Sequence, residues 1–171
     1  VVNNRVRNSA LLGMVVALVA IPIAVGLGLL AAMVPGSIFD RVVTMTALGF
    51  ASVPEFFIAT VLVLILAVHL RWLPAISYYP AGEMSHHIWT LMLLPVLTLC
   101  ITVIPQIARM TRASVLNVLS SPYVEMAILK GLSYPHIVWR HALPNAIGSI
   151  TNIVALNLAY LLSGAFIVET I

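Results

Sequence analysis

Side chains able to do chemistry are scarce in this sequence, and those with informative spacing gather in one stretch. Glu125-Met126-Ala127 is followed after three residues by Gly131, and after nine more by His141-Ala142-Leu143-Pro144. Other candidates are weaker. His86 and His87 adjoin, but neighbouring residues on a regular element point in different directions, and no Cys, Asp or third close ligand joins them and His69 into a metal site. A solvated loop tip accounts for them better. His136 and His141 stand five apart, a poor spacing for one helical face, so packing accounts for that pair. Cys100 is the only cysteine; inside an apolar run it can form no disulfide within the chain and reads as core filler. A glycine-rich phosphate loop, a nucleophile elbow and a His-Glu-x-x-His pattern are all missing from the sequence, which leaves it with neither a catalytic reading nor a metal reading.

The elements that must position these residues are set by lipid. The chain has 171 residues, 62% hydrophobic and only 8% charged, far from the roughly one quarter charged of soluble domains. A mean hydropathy of +1.13 excludes a disordered chain in water. Four stretches, 9–34, 42–68, 88–108 and 146–168, are long enough to cross a hydrocarbon core as helices, at about 20 residues each. They are apolar on every face, whereas a spanning barrel needs short strands of alternating polarity. The fold class is therefore all-α, a polytopic bundle of transmembrane helices. Pro22, Pro54, Pro95 and Pro105 fall inside these stretches, so kinked helices are expected. Glu55 is the one ionisable side chain deep in a predicted span; such a residue is costly in lipid and points to a pore contact or proton site.

The small-residue series Ala20, Ala24, Gly26, Gly28, Ala31 and Ala32 permits close helix approach. The connections differ in kind. Residues 35–41 form a tight turn carrying Asp40 and Arg41, and residues 70–87 form a loop with Pro74, Pro80 and Gly82. Residues 109–145 hold Arg109, Arg112, Glu125, Lys130 and Arg140, in helix-compatible patches broken at Pro122, Gly131 and Pro135. By parity this segment lies on the same side as the turn at 35–41, and the two together carry more Lys and Arg than the opposite side with Arg5, Arg7 and Arg71. The rule that cytoplasmic loops collect positive charge makes 109–145 cytoplasmic. The net charge of +3 and pI near 9.4 serve topology, not nucleic acid, because the basic residues are scattered singly with no aromatic interleaving. The chain starts at Val1 with no basic region leading to a cleavage site and is expected to be a piece of a longer protein.

The spacing from Glu125 to Pro144 resembles the EAA motif of binding-protein-dependent ATP-binding cassette permeases: Glu-Ala-Ala, three residues, Gly, nine residues, Ile, any residue, Leu-Pro. Met126 and His141 are the departures. Tyr123 to Ser133 and Arg140 to Ala146 look like the coupling segment of one branch, the dipeptide, oligopeptide and nickel permeases. Arg109, Arg112 and Leu119 match that branch's Arg-x-x-Arg pattern; Ser52, Pro54 and Phe56 match its Ser-x-Pro-x-Phe; Val168, Glu169 and Thr170 match its Val-Glu-Thr. The resemblance covers nearly the whole chain. It implies a type I importer permease, a single transmembrane domain over residues 1–171 with 109–145 as a cytoplasmic coupling segment, holding four of about six spans. It also implies a bacterial or archaeal plasma membrane location and four kinds of partner: a second, similar permease, two ATPase subunits, an extracellular solute-binding protein and lipid. The permease itself would carry no cofactor and would not be an enzyme; ATP and Mg would be bound by the ATPases. Peptides are the expected cargo, with nickel or another small solute next.

Physical reasoning on the motif points the same way. A transporter driven by a soluble ATPase needs a rigid lever that fits a groove and is attached to a spanning helix. Ser121 as N-cap and Pro122 at the first helical position suit the start of a short helix. Glu125 in its first turn and Lys130 in its last complement the dipole, and Gly131 can take the left-handed conformation that ends it. The residues expected to couple to the ATPase are Glu125, Ala127, Lys130, Gly131, Leu132, Ser133, His141 and Pro144, with Glu55 on the substrate path. An amphipathic loop resting on lipid head groups is the plainer reading of the same segment. An ion-coupled transporter would want paired intramembrane carboxylates, and an intramembrane protease a Ser-His or Asp pair at bilayer depth; neither pattern is present.

Overall fold

The computed structural model describes residues 2–74 and 88–170, with side chains described for residues 10–74 and 91–160. The loop residues Pro80, Gly82, His86 and His87 lie outside them, as do the side chains of Arg5, Arg7, Val168, Glu169 and Thr170. Among the described residues there are helices and no strands: α1 (Val2–Met33), α2 (Ile38–Ala51), α3 (Glu55–Leu62) continuing as a π-helical turn (Val63–His69), α4 (Ile88–Leu119), α5 (Pro122–Leu129), α6 (Tyr134–Ile137), a second π-helical turn (Val138–Ala142) and α7 (Leu143–Thr170). In lipid every backbone N–H and C=O must find its partner within the segment, and helices achieve this.

Three spans are long and apolar enough to cross a membrane: Ala10–Met33, Leu91–Leu119 and Tyr134–Tyr160. The expected span at 42–68 is not one straight helix. It is broken between Ala51 and Glu55, where α2 and α3 meet at 98°, and it makes a fourth crossing only if the bent pair counts as one. The cause is local. Pro54 has no N–H to continue the ladder and biases Val53 away from helical geometry. The chain instead closes α2 with Ser52 N–H donating to Gly49 O at 3.2 Å, and Pro54 O accepts from Phe57 N–H at 3.0 Å to open α3. Pro22, Pro95 and Pro105, by contrast, sit inside unbroken helices.

A second expectation also changes. Residues 109–119 belong to α4, which runs on past Ala108 to Leu119. Arg109 and Arg112 are therefore helical residues at the end of α4 and not loop residues.

Packing centres on α1 against α4. Ala20, Ala24, Gly28 and Ala31 follow one another at helical spacing, and all are buried. With no hydrophobic drive between helices in lipid, close van der Waals approach is what holds them. At Gly28 the approach is closest: a Cβ there would lie 2.5 Å from the carbonyl oxygen of Ala108 and 2.8 Å from Cβ of Thr111. Gly26, grouped with this series by sequence, meets nothing within 4 Å. Val16, Ala20 and Ala24 of α1 share one core cluster with Cys100, Val103 and Ile107 of α4. A second cluster joins Leu29 and Ala32 to Val115, Ala142, Ala146 and Ile150. Two of the buried polar side chains fall back on their own helix: Thr98 Oγ1 donates to Leu94 O at 2.9 Å and Asn157 Nδ2 donates to Ile153 O at 2.8 Å.

Candidate functional site

The motif residues assemble at one end of the bundle. α5 begins as its sequence demands: Ser121 takes the extended N-cap conformation and Pro122 fills the first helical position. The Ser121 hydroxyl, however, donates back to Val118 O and does not cap α5. At the other end Gly131 has φ +78°. Gly131 N–H donates to Ile128 O at 2.9 Å and Leu132 N–H donates to Ala127 O at 3.3 Å. These two bonds, around a left-handed residue just beyond the cap, form a Schellman ending. The glycine thus stops the helix and sets the angle at which the chain leaves it.

One face of α5 is anchored. Val124 and Ala127, three residues apart, are buried against Ile137 of α6, with Leu119 of α4 packed on the group. Asn145 Nδ2, in the first turn of α7, donates to Tyr123 OH at 3.1 Å and to His141 O at 2.7 Å, so the start of α5 is tied to the start of a spanning helix. The outer face is bare and largely apolar: Tyr123 is 43% exposed, Met126 56%, Ile128 51% and Leu129 75%. Glu125 and Lys130 are exposed beside them, as are Gly131, Leu132 and Ser133 in the turn that follows. Ser133 is the N-cap of α6 in geometry, without a side-chain cap bond.

From Tyr134 the chain is helical almost without interruption into α7, by way of the π-helical turn at Val138–Ala142. Pro144 is thus part of a continuous helical path. It lies in the first turn of α7, directly after a wider turn, which accommodates a residue that cannot donate to the carbonyl of Arg140. The same turn brings the two histidines together. Five residues apart, they are out of phase on an α-helix, yet their rings come to 6.1 Å because the π-helical turn lies between them. They gain no further ligand: among the described residues no group of three or more His, Cys, Asp or Glu could hold a metal ion.

Two ties at this end escaped the sequence. Asp40 is 3% exposed, yet it carries a charge. Arg112 of α4 donates to it through Nε to Oδ1, and through a terminal guanidinium nitrogen to Oδ2 at 2.7 Å. Gly36 N–H donates to Oδ2 at 2.8 Å and Ser37 Oγ accepts from Asp40 N–H at 3.1 Å. The turn beneath is type II in form, with Pro35 second, Gly36 third at φ +77° and Ser37 N–H donating to Val34 O at 3.2 Å. Tyr134 OH donates to Ala32 O at 3.3 Å, satisfying one of the carbonyls left over at the end of α1. An acid just past one apolar run and arginines ending another, on the same side by parity, were the available signals for the first tie.

Glu55 stands apart from this cluster. It is exposed in the first turn of α3, beyond the far end of α2, whose 14 residues extend about 21 Å. At a helix start after a sharp bend it complements the dipole, and its position is no longer the middle of a continuous span. An open groove of about 650 Å³ lies between α1, α2 and α4, lined by Val19, Ile23, Phe50, Val96 and Ile104 among others. Its polar lining residue, Thr46, already donates to Val42 O and Val43 O. Such a surface suits lipid or another apolar helix and offers a polar solute little to grip.

Residues 24–171 match the family model described as binding-protein-dependent transport system inner membrane component. Similar proteins include a probable peptide ABC transporter permease protein, y4tP, of Sinorhizobium fredii, 33% identical over 99% of this chain and 54% of its own length. The oligopeptide transport system permease protein OppB of Salmonella typhimurium is 32% identical over 95% of this chain and 51% of its own. A putative peptide transport system permease protein of Brucella abortus is 31% identical over 90% of this chain and 49% of its own. The chain spans about half the length of the curated relatives it matches.

Proposed function

Given that the chain belongs to the family of binding-protein-dependent transport system inner membrane components, we propose that it is part of a channel-forming subunit of an ATP-driven peptide importer. The observation that carries this reading is α5. It is a short helix with a fixed glycine ending, tied at its base to a spanning helix and presenting an unpartnered apolar face where a second protein would bind. Docked in a groove of an ATPase, such an element converts closure of the ATPases into displacement of the bundle. Glu125, Lys130, Leu132 and Ser133 edge that face, Ala127 packs behind it, the His141 carbonyl accepts from Asn145 at its base, Gly131 sets its angle, and Pro144 sits where α7 begins. This end of the bundle faces the cytoplasm, in keeping with its share of Lys and Arg.

The cycle proposed is the one that the resemblance to binding-protein-dependent permeases implies. A solute-binding protein outside the cell delivers its cargo to a cavity between this permease and a second, similar one, while two ATPases bind ATP and hold the pair open outward. Hydrolysis resets the levers and admits the cargo. ATP and Mg stay with the ATPases, and this chain supplies force transmission and a path, without chemistry of its own. Relatives named for peptides and oligopeptides favour peptide over nickel as the cargo. Glu55, at the bend between α2 and α3, is the candidate contact on the substrate path.

Two measurements test the reading. The full-length protein, purified from membranes in mild detergent, should bring down an ATP-binding cassette ATPase. With every native cysteine, Cys100 among them, replaced by Ser, a single cysteine at Lys130 should react with a membrane-impermeant maleimide only in inside-out vesicles. Labelling from the extracellular side would overturn the proposal.

A further inference from the structure

Resting on the importer reading, we propose that Asp40 and Arg112 are positioning residues that carry the lever's displacement to the bent α2–α3 element. Asp40 is the one buried charged side chain among the described residues, and burying a charge is costly unless it is fully paired. All the pairing comes from two places: the turn that starts α2 and, 72 residues later, the end of α4. α4 continues from Arg112 to Leu119, which packs directly on α5. An unbroken path therefore runs from the exposed face of α5 through the last turns of α4 and the guanidinium to the first turn of α2. Tyr134 holds the end of α1 through Ala32 O, so the α1–α2 connection is held by the coupling segment and by α4 at once.

Stability alone gives no reason for an ion pair here, since apolar pairs of similar volume do as well or better in buried positions. What a two-pronged guanidinium–carboxylate contact adds is direction and register. α2 is a single rod, and its far end is the 98° bend. Moving its first turn moves the bend, and with it Glu55. In this way ATPase closure reaches the bend at the far end of α2.

The test uses the full-length permease assembled with its second permease, its ATPases and its binding protein in proteoliposomes. Uptake of a radiolabelled oligopeptide mixture and ATP hydrolysis are measured on the same vesicles. Asp40→Asn and Arg112→Gln should hydrolyse ATP within about twofold of wild type but move roughly tenfold less peptide per ATP, a usual size for coupling between sites. The exchange Asp40→Arg with Arg112→Asp should recover most of that ratio. Because single variants can fail to assemble, Asp40→Leu with Arg112→Met is made alongside, an apolar pair that keeps the packing and removes the directed bonds. An assembled apolar pair with a lowered peptide-to-ATP ratio supports the proposal. A wild-type ratio in that pair or in the single variants overturns it, as does an exchange variant that assembles and recovers nothing. Failure of the importer reading would show differently, as a wild-type complex without ATP-driven uptake.

Discussion

Replacing Gly131 separates backbone geometry from crowding, because a side chain there would meet nothing within 4 Å. Any effect must then come from the left-handed conformation itself, at φ +78°. Holding an ordinary L-residue there costs about 1–2 kcal/mol, so in Gly131→Ala the Schellman ending should be disfavoured roughly 5- to 30-fold against alternative exits from α5. Asn tolerates this region better than other residues, and a β-branched side chain tolerates it least. The two bonds at stake are Gly131 N–H to Ile128 O and Leu132 N–H to Ala127 O. Losing them lets α5 swing about its link to α6 while the contacts of Val124 and Ala127 still hold it loosely. ATP-driven peptide uptake per assembled complex should therefore fall in the order Gly, Asn, Ala, Val, with subunit assembly measured on the same preparations. If Gly131→Val assembles and transports like wild type, the glycine ending does not set the lever, and the reasoning fails.

Three further outcomes are expected. Gly28→Ala places a methyl 2.5 Å from Ala108 O, so α1 must move off α4; a cost of about 1–3 kcal/mol should lower the unfolding temperature in detergent. Gly26→Ala, which meets nothing, should leave that temperature the same or slightly raised. Pro54→Ala restores an N–H able to donate to Phe50 O, and spin labels at Met45 and Leu64 should show a new population about 10 Å longer as the 98° bend opens; an unchanged distribution would mean that the proline does not hold the bend. Glu55→Gln removes a dipole interaction of only about 0.3–1 kcal/mol, so the protein should fold normally while peptide uptake drops; full uptake would remove Glu55 from the substrate path.

What the sequence made legible was whatever lipid or local backbone chemistry dictates. Span length is forced by bilayer thickness, and the end of α5 by a glycine that alone sits easily at positive φ, so both could be read directly. The break at Pro54 was hidden because a proline inside an apolar run is compatible with either a continuous helix or a sharp turn, and Pro22, Pro95 and Pro105 took the first course. The true end of α4 was hidden for a different reason. Arg109 and Arg112 looked like loop residues, and the carboxylate that Arg112 meets lies 72 positions away in sequence. The meeting of His136 and His141 depends on a shift of hydrogen-bond register at Val138–Ala142 that residue types do not announce. Local signals thus marked α5 and its glycine ending, and long-range pairing decided what surrounds them.

The length of α4 carries one more consequence. Its 32 residues reach about 48 Å, some 18 Å more than the oily slab it must traverse. The surplus stands among head groups and water, where a guanidinium keeps its charge cheaply. One helix therefore runs from the core cluster it shares with α1 to Leu119, which packs on the group that anchors α5. A push on the soluble side need not cross any flexible joint before it is felt at bilayer depth.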